Sequence, residues 1–299
     1  MEFRQLQYVI QIAKEKNFSR AAEKLHIAQP SLSQQLSKLE KEIGVLLFRR
    51  TTNSVELTHA GNVFVQKAQT IIDSIEQLKQ ELDDLAHMRK GKLVVGSLPM
   101  TGSHVLPLVL PVFGRRYPEI EIVLVEDSSS RLEQLTASGQ TDLSLLSLPL
   151  TDPTLTWEPI IEEEICLAVP PTHALADRID AIHISELQAE PFIVLKKGQG
   201  FRQIAFELCS KHGFEPRIVF ESGNIETVQS LVAAGMGIAF VPKMVTRAKW
   251  SEFAPVYLPL AEPAPSRTLV IASKQGRYLS KAAEAFIATM KTTLEQHYN

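Results

Sequence analysis

Between Phe18 and Gly44 the order of small, apolar and helix-breaking residues leaves the chain few ways to fold. Ala21, Ala22 and Leu25 precede a turn at His26-Ile27-Ala28. Pro30 follows, and then Leu32, Leu36, Leu39 and Ile43. The last four wind into one stripe on a helix. Pro30 stands in the first turn, where a fixed φ and a missing amide proton cost nothing, and Gly44 is a natural stop. Ser19 is expected to cap a shorter helix in front, whose two alanines let another helix cross closely. Phe3, Leu6, Ile10 and Ala13 add a first helix that ends near Lys14–Asn17. Three helices with a tight turn between the second and third are predicted.

Opposite the leucine stripe the third helix carries Pro30, Gln34, Ser37, Lys38 and Lys41, flanked by Ser31, Ser33 and Gln35. Uncharged hydrogen-bonding groups near the helix start and cations towards its end suit a helix lying in a DNA major groove. There Gln and Ser read base edges and Lys neutralises phosphate. Taken alone, such a face is better explained by solvation, and the flanking pieces reverse that balance. Leu46–Thr58 reads as a strand, a polar turn and a returning strand, with Arg49 and Arg50 placed to lie along a sugar–phosphate backbone. Residues 1–66 hold nine Lys and Arg against six acids, so the rest of a chain with net charge −3 is acidic. That asymmetry points weakly to nucleic acid.

The ordered residues Phe18-Ser19-Arg20-Ala21-Ala22 through Pro30-Ser31-Leu32-Ser33-Gln34-Gln35-Leu36 resemble the DNA-binding head of LysR-type transcriptional regulators. So do Leu39-Glu40, Gly44-Val45, Leu47-Phe48-Arg49-Arg50 and Leu57-Thr58-His59-Ala60-Gly61. The resemblance implies DNA contacts for Gln29, Pro30, Ser31, Ser33, Gln34, Lys38, Arg49 and Arg50, and Ser19 and Arg20 are assigned to the same surface. It also implies a winged helix-turn-helix in residues 1–58, a linker or dimerisation helix in 59–90 and an effector-binding domain in 91–299.

From Thr58 to Met88 there is no proline, and apolar residues fall at Phe64, Ala68, Ile71, Ile75, Leu78, Leu82 and Leu85. The alternating gaps of four and three form a heptad seam. A helix packed only on its own domain would show a wider stripe. Ile71, Ile75, Leu78, Leu82 and Leu85 are therefore expected to pair two subunits, and the resemblance implies a dimer by this helix and a tetramer when the bodies pair too.

Beyond residue 91, strand signals at 92–97, 120–126, 142–147, 164–169, 192–196, 217–221, 237–241 and 268–273 alternate with helix signals at 103–116, 129–138, 201–212, 225–235 and 278–296. Alternation predicts α/β sheets with crossover helices, and the family resemblance implies a bilobed body of periplasmic-binding-protein type. Lobe I would take about 91–161 and 267–299, and lobe II about 162–266. Ligands of such sheets bind beyond the strand C-termini, at helix N-termini. Thr101, Ser103, Ser128, Ser129, Gln199 and Asn224 are candidate hydrogen-bonding groups there, and Pro99, Met100, Leu148 and Phe201 candidate walls. Each polar residue singly is better explained as a helix cap. Together they suit a small anionic metabolite. Arg202 would pair with an acid or be solvated.

The eight histidines show no metal spacing, and Cys166 and Cys209 lie outside any C-x-x-C pattern, so no metal, cofactor or disulfide framework is expected. Glu162-Glu163-Glu164 reads as a solvated crossover between lobes. Lys211 and His212 beside Cys209 leave a redox thiol open. No run is long and apolar enough to span a membrane, and the N-terminus lacks the pattern of a secretory signal, so a cytoplasmic chain is expected. A solute-binding protein would share the body but not residues 1–88, and an enzyme would need a nucleophile, base or metal cluster. The expectation is a non-enzymatic transcriptional regulator. It would bind double-stranded DNA as a homo-oligomer and respond to a small effector.

Overall fold

The computed structural model describes residues 1–50, 55–86, 91–247 and 253–298. The side chains of Arg50, Gln80, residues 83–86 and Tyr298 are outside the description, so the expectations for the Arg50 and Leu85 side chains cannot be placed. Two compact units result, Met1–His87 and Met88–Asn299.

The first unit holds α1 (Phe3–Glu15), α2 (Phe18–Lys24), α3 (Gln29–Ile43), β1 (Phe48–Arg50), β2 (Val55–Leu57) and α4 (His59–Ala86). Its core gathers Val9 and Ile12 from α1, Ala21 and Ala22 from α2, and Leu32, Leu36 and Leu39 from α3. The alanines let the helices approach, and burial of the leucines supplies the hydrophobic drive. Ser19 does not cap α2. Asn17 does, its Oδ1 accepting from the Arg20 amide at 3.0 Å. An Asn two residues before Ser19 reaches the free amides better, because Ser19 is already inside the helix. α3 has Pro30 in its first turn and stops at Gly44, with φ 76°.

Two features join α3 to the β1–β2 hairpin. Glu40 is buried, and its Oε1 accepts from the amides of Leu47 at 2.7 Å and Phe48 at 3.3 Å. The Thr58 hydroxyl donates to the Leu46 carbonyl at 2.7 Å and accepts from the Gly61 amide at 2.9 Å. The start of α4 is thereby tied to the start of β1, a crossing so close that only glycine fits at position 61. A Cβ there would lie 2.0 Å from the Leu47 carbonyl oxygen.

α4 divides its apolar residues between two faces. Phe64, Ala68 and Ile72 pack with Leu6 and Ile10 of α1. Phe64 and Ala68, expected in the pairing seam, are thus taken up within their own unit. Past the end of α1 the seam is left open: Ile71 is 42% exposed, Leu78 56% and Leu82 55%. Ile75 is half-buried.

The second unit contains β3 (Gly91–Ser97), α5 (Pro99–Arg116), β4 (Ile120–Glu126), α6 (Ser129–Ala137), β5 (Leu143–Ser147), β6 (Leu155–Val169), β7 (Pro191–Leu195), α7 (Gly200–Lys211), β8 (Arg217–Ser222), α8 (Ile225–Ala233), β9 (Ala239–Pro242), β10 (Val256–Pro259), β11 (Ser266–Lys274) and α9 (Lys281–Tyr298). β3 runs parallel to β4 and β5, while β11 lies antiparallel to both β5 and β6. β6 is the long element. Its first part pairs with β11, and Ile165–Val169 pair with β9 and β10. Only its end, 164–169, was expected from sequence, and β10 was not expected at all. Pro159 and the charged residues mask the first part, yet Pro159 falls opposite Val270, where the ladder shifts register and a missing amide proton is tolerated.

Two main cores follow. One gathers Leu93, Val95, Leu143, Leu145, Leu269, Ile271 and Phe286 beneath α5 and α9. The other is built around Leu167, Phe192, Val194, Leu208, Val232 and Phe240. The acidic triplet is solvated at Glu162 and Glu164, which are exposed, but not at Glu163. Glu163 is buried against Arg267, Glu164 pairs with Lys243, and Glu162 accepts from the Ser266 hydroxyl. Their partners on β11 and beyond β9 are remote in sequence, which hid the pairing.

Candidate DNA-reading face and ligand cleft

α3 presents Gln29, Pro30, Ser31, Gln34, Ser37 and Lys38 to the outside, opposite the buried Leu32, Leu36 and Leu39. Ser33 is half-buried and accepts from Gln29 Nε2 at 2.9 Å. Lys38 Nζ lies 3.9 Å from Glu2 Oε1, with both side chains open, a pair too exposed to hold the ammonium. Ser19 and Arg20 are exposed at the start of α2. Arg49 is exposed on β1, opposite Glu56 in the hairpin register. The helix therefore offers an uncharged polar face at its N-terminal half and cations beyond it and on the adjacent strand.

In the second unit three helix N-termini meet. The first turns of α5, α7 and α8 line a cleft of about 320 Å³. Pro99, Met100 and Ser103 come from α5, Gln199 and Phe201 from the start of α7, and Asn224 from the cap of α8. Leu98, Leu195, Gly200, Gly223, Ile225 and Glu226 also line it and had not been singled out. Their signal was positional: Leu98, Gly200, Gly223, Ile225 and Glu226 lie in or beside the loops leading into predicted helices, and Leu195 ends the strand before one of them.

Thr101, Ser128, Ser129 and Leu148 do not line this cleft. Thr101 is fully buried behind it. Leu148 packs with Leu98 and Leu132. Ser129 accepts from the Gly200 amide at 2.9 Å, so it acts as a cap on α7 across from its own helix. Ser128, half-buried, turns back to Asp127. Asn224 is both, since it faces the cleft and its Oδ1 accepts from the Glu226 amide at 2.8 Å.

The cleft's one lining acid is neutralised. Arg247 donates to Glu226 Oε2 from Nη2 at 2.6 Å and from Nε at 3.0 Å. Arg202 is not solvated; it donates to Glu221 and to the Leu195 carbonyl, both at 2.7 Å. What remains facing the cavity is apolar wall, amide and hydroxyl groups, and the positive ends of three helix dipoles. Of the two thiols, Cys209 is fully buried, and desolvation pushes its pKa up to about 12. Cys166 is also pushed up by burial, against a smaller opposing pull from Lys243.

No helix among the described residues is long and apolar enough to cross a membrane. Comparison with known proteins accounts for nearly the whole chain. Residues 3–62 match the model described as bacterial regulatory helix-turn-helix protein, lysR family, and residues 86–295 match the LysR substrate binding domain. The uncharacterized HTH-type transcriptional regulator YcgK of Bacillus subtilis (strain 168) is 40% identical over 316 residues, spanning 100% of this chain and 97% of the relative. The hydrogen peroxide-inducible genes activator of Dickeya chrysanthemi is 30% identical over 297 residues, covering 99% and 97%. Among solved structures, a full-length OxyR variant from Pseudomonas aeruginosa superposes with a TM-score of 0.75 at 26% identity, covering 99% of this chain and 95% of that one. The chain belongs to the LysR family of bacterial helix-turn-helix proteins and is a DNA-binding transcriptional regulator with an effector-binding domain, not an enzyme.

Proposed function

We propose that this cytoplasmic regulator reads its operator with the exposed face of α3 and changes its promoter binding when a small anionic metabolite occupies the cleft at the starts of α5, α7 and α8. The observation that carries the reading is the convergence of those three helix N-termini on one partly apolar cavity. Backbone amides and dipoles there favour an anion, and Met100 and Phe201 favour an organic body. Gln29, Ser31, Ser33 and Gln34 meet base edges, while Ser19, Arg20, Lys38, Arg49 and Arg50 meet phosphates, with Pro30 setting the helix start against the groove. Residues 1–58, 59–90 and 91–299 serve as head, pairing helix and sensor. The open stretch of α4 joins two chains, and pairing of sensors makes a tetramer.

Several relatives are hydrogen peroxide-inducible genes activators. The thiols here do not support the same response. A fully buried cysteine with a pKa near 12 is a poor nucleophile towards peroxide at neutral pH.

The test is a footprint on DNA flanking the chain's own gene, with and without candidate metabolites, on wild type and Gln34→Ala. We expect protection that changes length with an organic acid. Gln34→Ala should lose about 1–3 kcal/mol of specific affinity while non-specific binding holds. Equal loss of both would remove Gln34 from base reading, and no response to any metabolite would remove the sensor.

A further inference from the structure

Arg267 stands at the start of β11, directly opposite Glu163 in the ladder with β6, and its side chain has no exposure. Nε and Nη2 both reach Glu163 Oε2 at 2.7 Å, and the other Glu163 oxygen accepts from the Met244 amide at 2.6 Å. Nη2 also touches the Met244 sulfur at 3.7 Å. Nη1 is buried with no partner. A charged donor left unsatisfied in a protein interior is expensive, and native proteins keep few of them.

Its surroundings point towards the cleft. The guanidinium carbon lies 5.4 Å from the centre of the Phe201 ring, and Phe201 is part of the cleft wall. Two other buried polar atoms without a partner stand at the same end of the sheet. Ser147 is opposite Leu269 in the β5–β11 ladder, so its side chain shares a sheet face with that of Arg267, two residues along. Thr101, in the first turn of α5, follows the cleft-lining Met100, and its Oγ1 is also unpartnered. Three donor-bearing groups thus lack acceptors at this end of the sheet, two of them beside the cleft-lining Phe201 and Met100, while the cleft's single lining carboxylate is held by Arg247.

We propose that Arg267 is the charge receptor of the effector site: its Nη1–H donates to the carboxylate of a small organic acid that passes Phe201, while the apolar body of the acid remains in the cleft. The inference rests on the cleft reading above and deepens it by naming the ligand class, a carboxylate with an apolar body, and the residue that holds it. Thr101 and Ser147 donate hydroxyls to the same group. Because Arg267 also holds Glu163, which holds the Met244 amide, an acid bound there acts on the strand crossing that joins the two cores.

The experiment compares acetate, phenylacetate and succinate with acetamide, phenylacetamide and succinamide on the full chain, by thermal shift and calorimetry. Ligands are used at about 10 mM, enough to fill a site of roughly 1 mM Kd. We expect at least one acid to raise Tm and its amide to do nothing. The double variant Arg267→Met with Glu163→Gln removes both buried charges together, avoiding a lone ion. It should bind the acid about tenfold more weakly or worse and lose the preference over the amide. Arg267→Lys keeps the charge but not the guanidinium fork, and should weaken the acid too, so the test survives if the double variant does not fold. Ser103→Trp fills the cleft and should abolish binding. A folded double variant or Arg267→Lys with unchanged affinity and preference would overturn the role of Arg267 while leaving the cleft intact. Acid binding that persists in Ser103→Trp would overturn the cleft itself. No acid-dependent change with any of the three would mean that Nη1 is met by water alone, and would also overturn the proposal.

Discussion

Gly61 carries a requirement out of proportion to its size. The first turn of α4 passes over the start of β1, and a methyl group at residue 61 would sit 2.0 Å from the Leu47 carbonyl oxygen and 2.9 Å from Leu57 Cδ2. The obstacle is backbone, which cannot rotate away. Gly61→Ala should therefore destabilise the head by about 2 kcal/mol, despite alanine's better helix propensity. Urea denaturation followed by helical CD is the measurement, and an alanine variant as stable as wild type would show that the crossing relaxes freely. Glu40 works beside it by accepting from the amides of Leu47 and Phe48. These single-residue facts differ in how far sequence discloses them. Gly44 was legible because a helix stop is a local event. Gly61 and Glu40 stood in the quoted family pattern, but their reasons lie in atoms across the fold. Within the acidic triplet Glu163 was hidden for the same cause: it is 104 residues from Arg267, and it looks as solvated as its two exposed neighbours until the facing strand is known.

At the scale of elements, α3 and α4 show what periodicity discloses and what it leaves open. The leucine stripe of α3 named its buried face, and the opposite face followed by geometry. In α4 the gaps of four and three named an apolar seam, but a seam does not say which partner covers it. Phe64 and Ala68 are covered by α1, while Ile71, Leu78 and Leu82 are 42%, 56% and 55% exposed within one chain. Exposed aliphatic side chains at heptad spacing on a 28-residue helix form a surface for a second helix. Changing Leu78 and Leu82 together to Asp would place charge in that paired seam with nothing to meet it. Neither residue touches the core of its own unit, so folding should be unaffected. We expect sedimentation to show a smaller assembly and affinity for a two-half-site operator to fall, while the melting profile holds. Wild-type mass and affinity in the double variant would free α4 from subunit pairing. In the second unit, the helix starts of α5, α7 and α8 were placed within a few residues by the alternation of strand and helix signals. The side of each start that faces the cleft was not, so Ser128, Ser129 and Leu148 turned elsewhere and Thr101 is buried rather than lining the cavity.

On the scale of the whole molecule, two edge strands of the sensor unit carry exposed apolar side chains. β4 ends the larger sheet, with Leu124 41% exposed. β8 ends the two-stranded one, with Ile218, Val219 and Phe220 each between 37% and 42% exposed in succession. Chains usually blunt such edges with charge, proline or a bulge, because an open ladder of amides and carbonyls invites another strand. Here three consecutive apolar residues stand where a blunt edge would need lysine. A molecule that already pairs through α4 and also pairs through these edges closes into a tetramer rather than growing without limit, provided that the two contacts obey closed symmetry. The edges can be tested apart from α4. Leu124→Lys combined with Val219→Lys changes exposed positions only, so each unit should fold and the α4 contact should survive. If the proposed tetramer forms through these edges, sedimentation velocity should report two chains for this variant and four for wild type. A single half-site should bind as before, whereas the longer footprint that needs two pairs of heads should shorten. If the double lysine variant still sediments as a tetramer, sensor pairing uses another surface. If it falls to one chain, the edges rather than α4 hold the dimer, and the division of labour between helix and sheet edge is reversed.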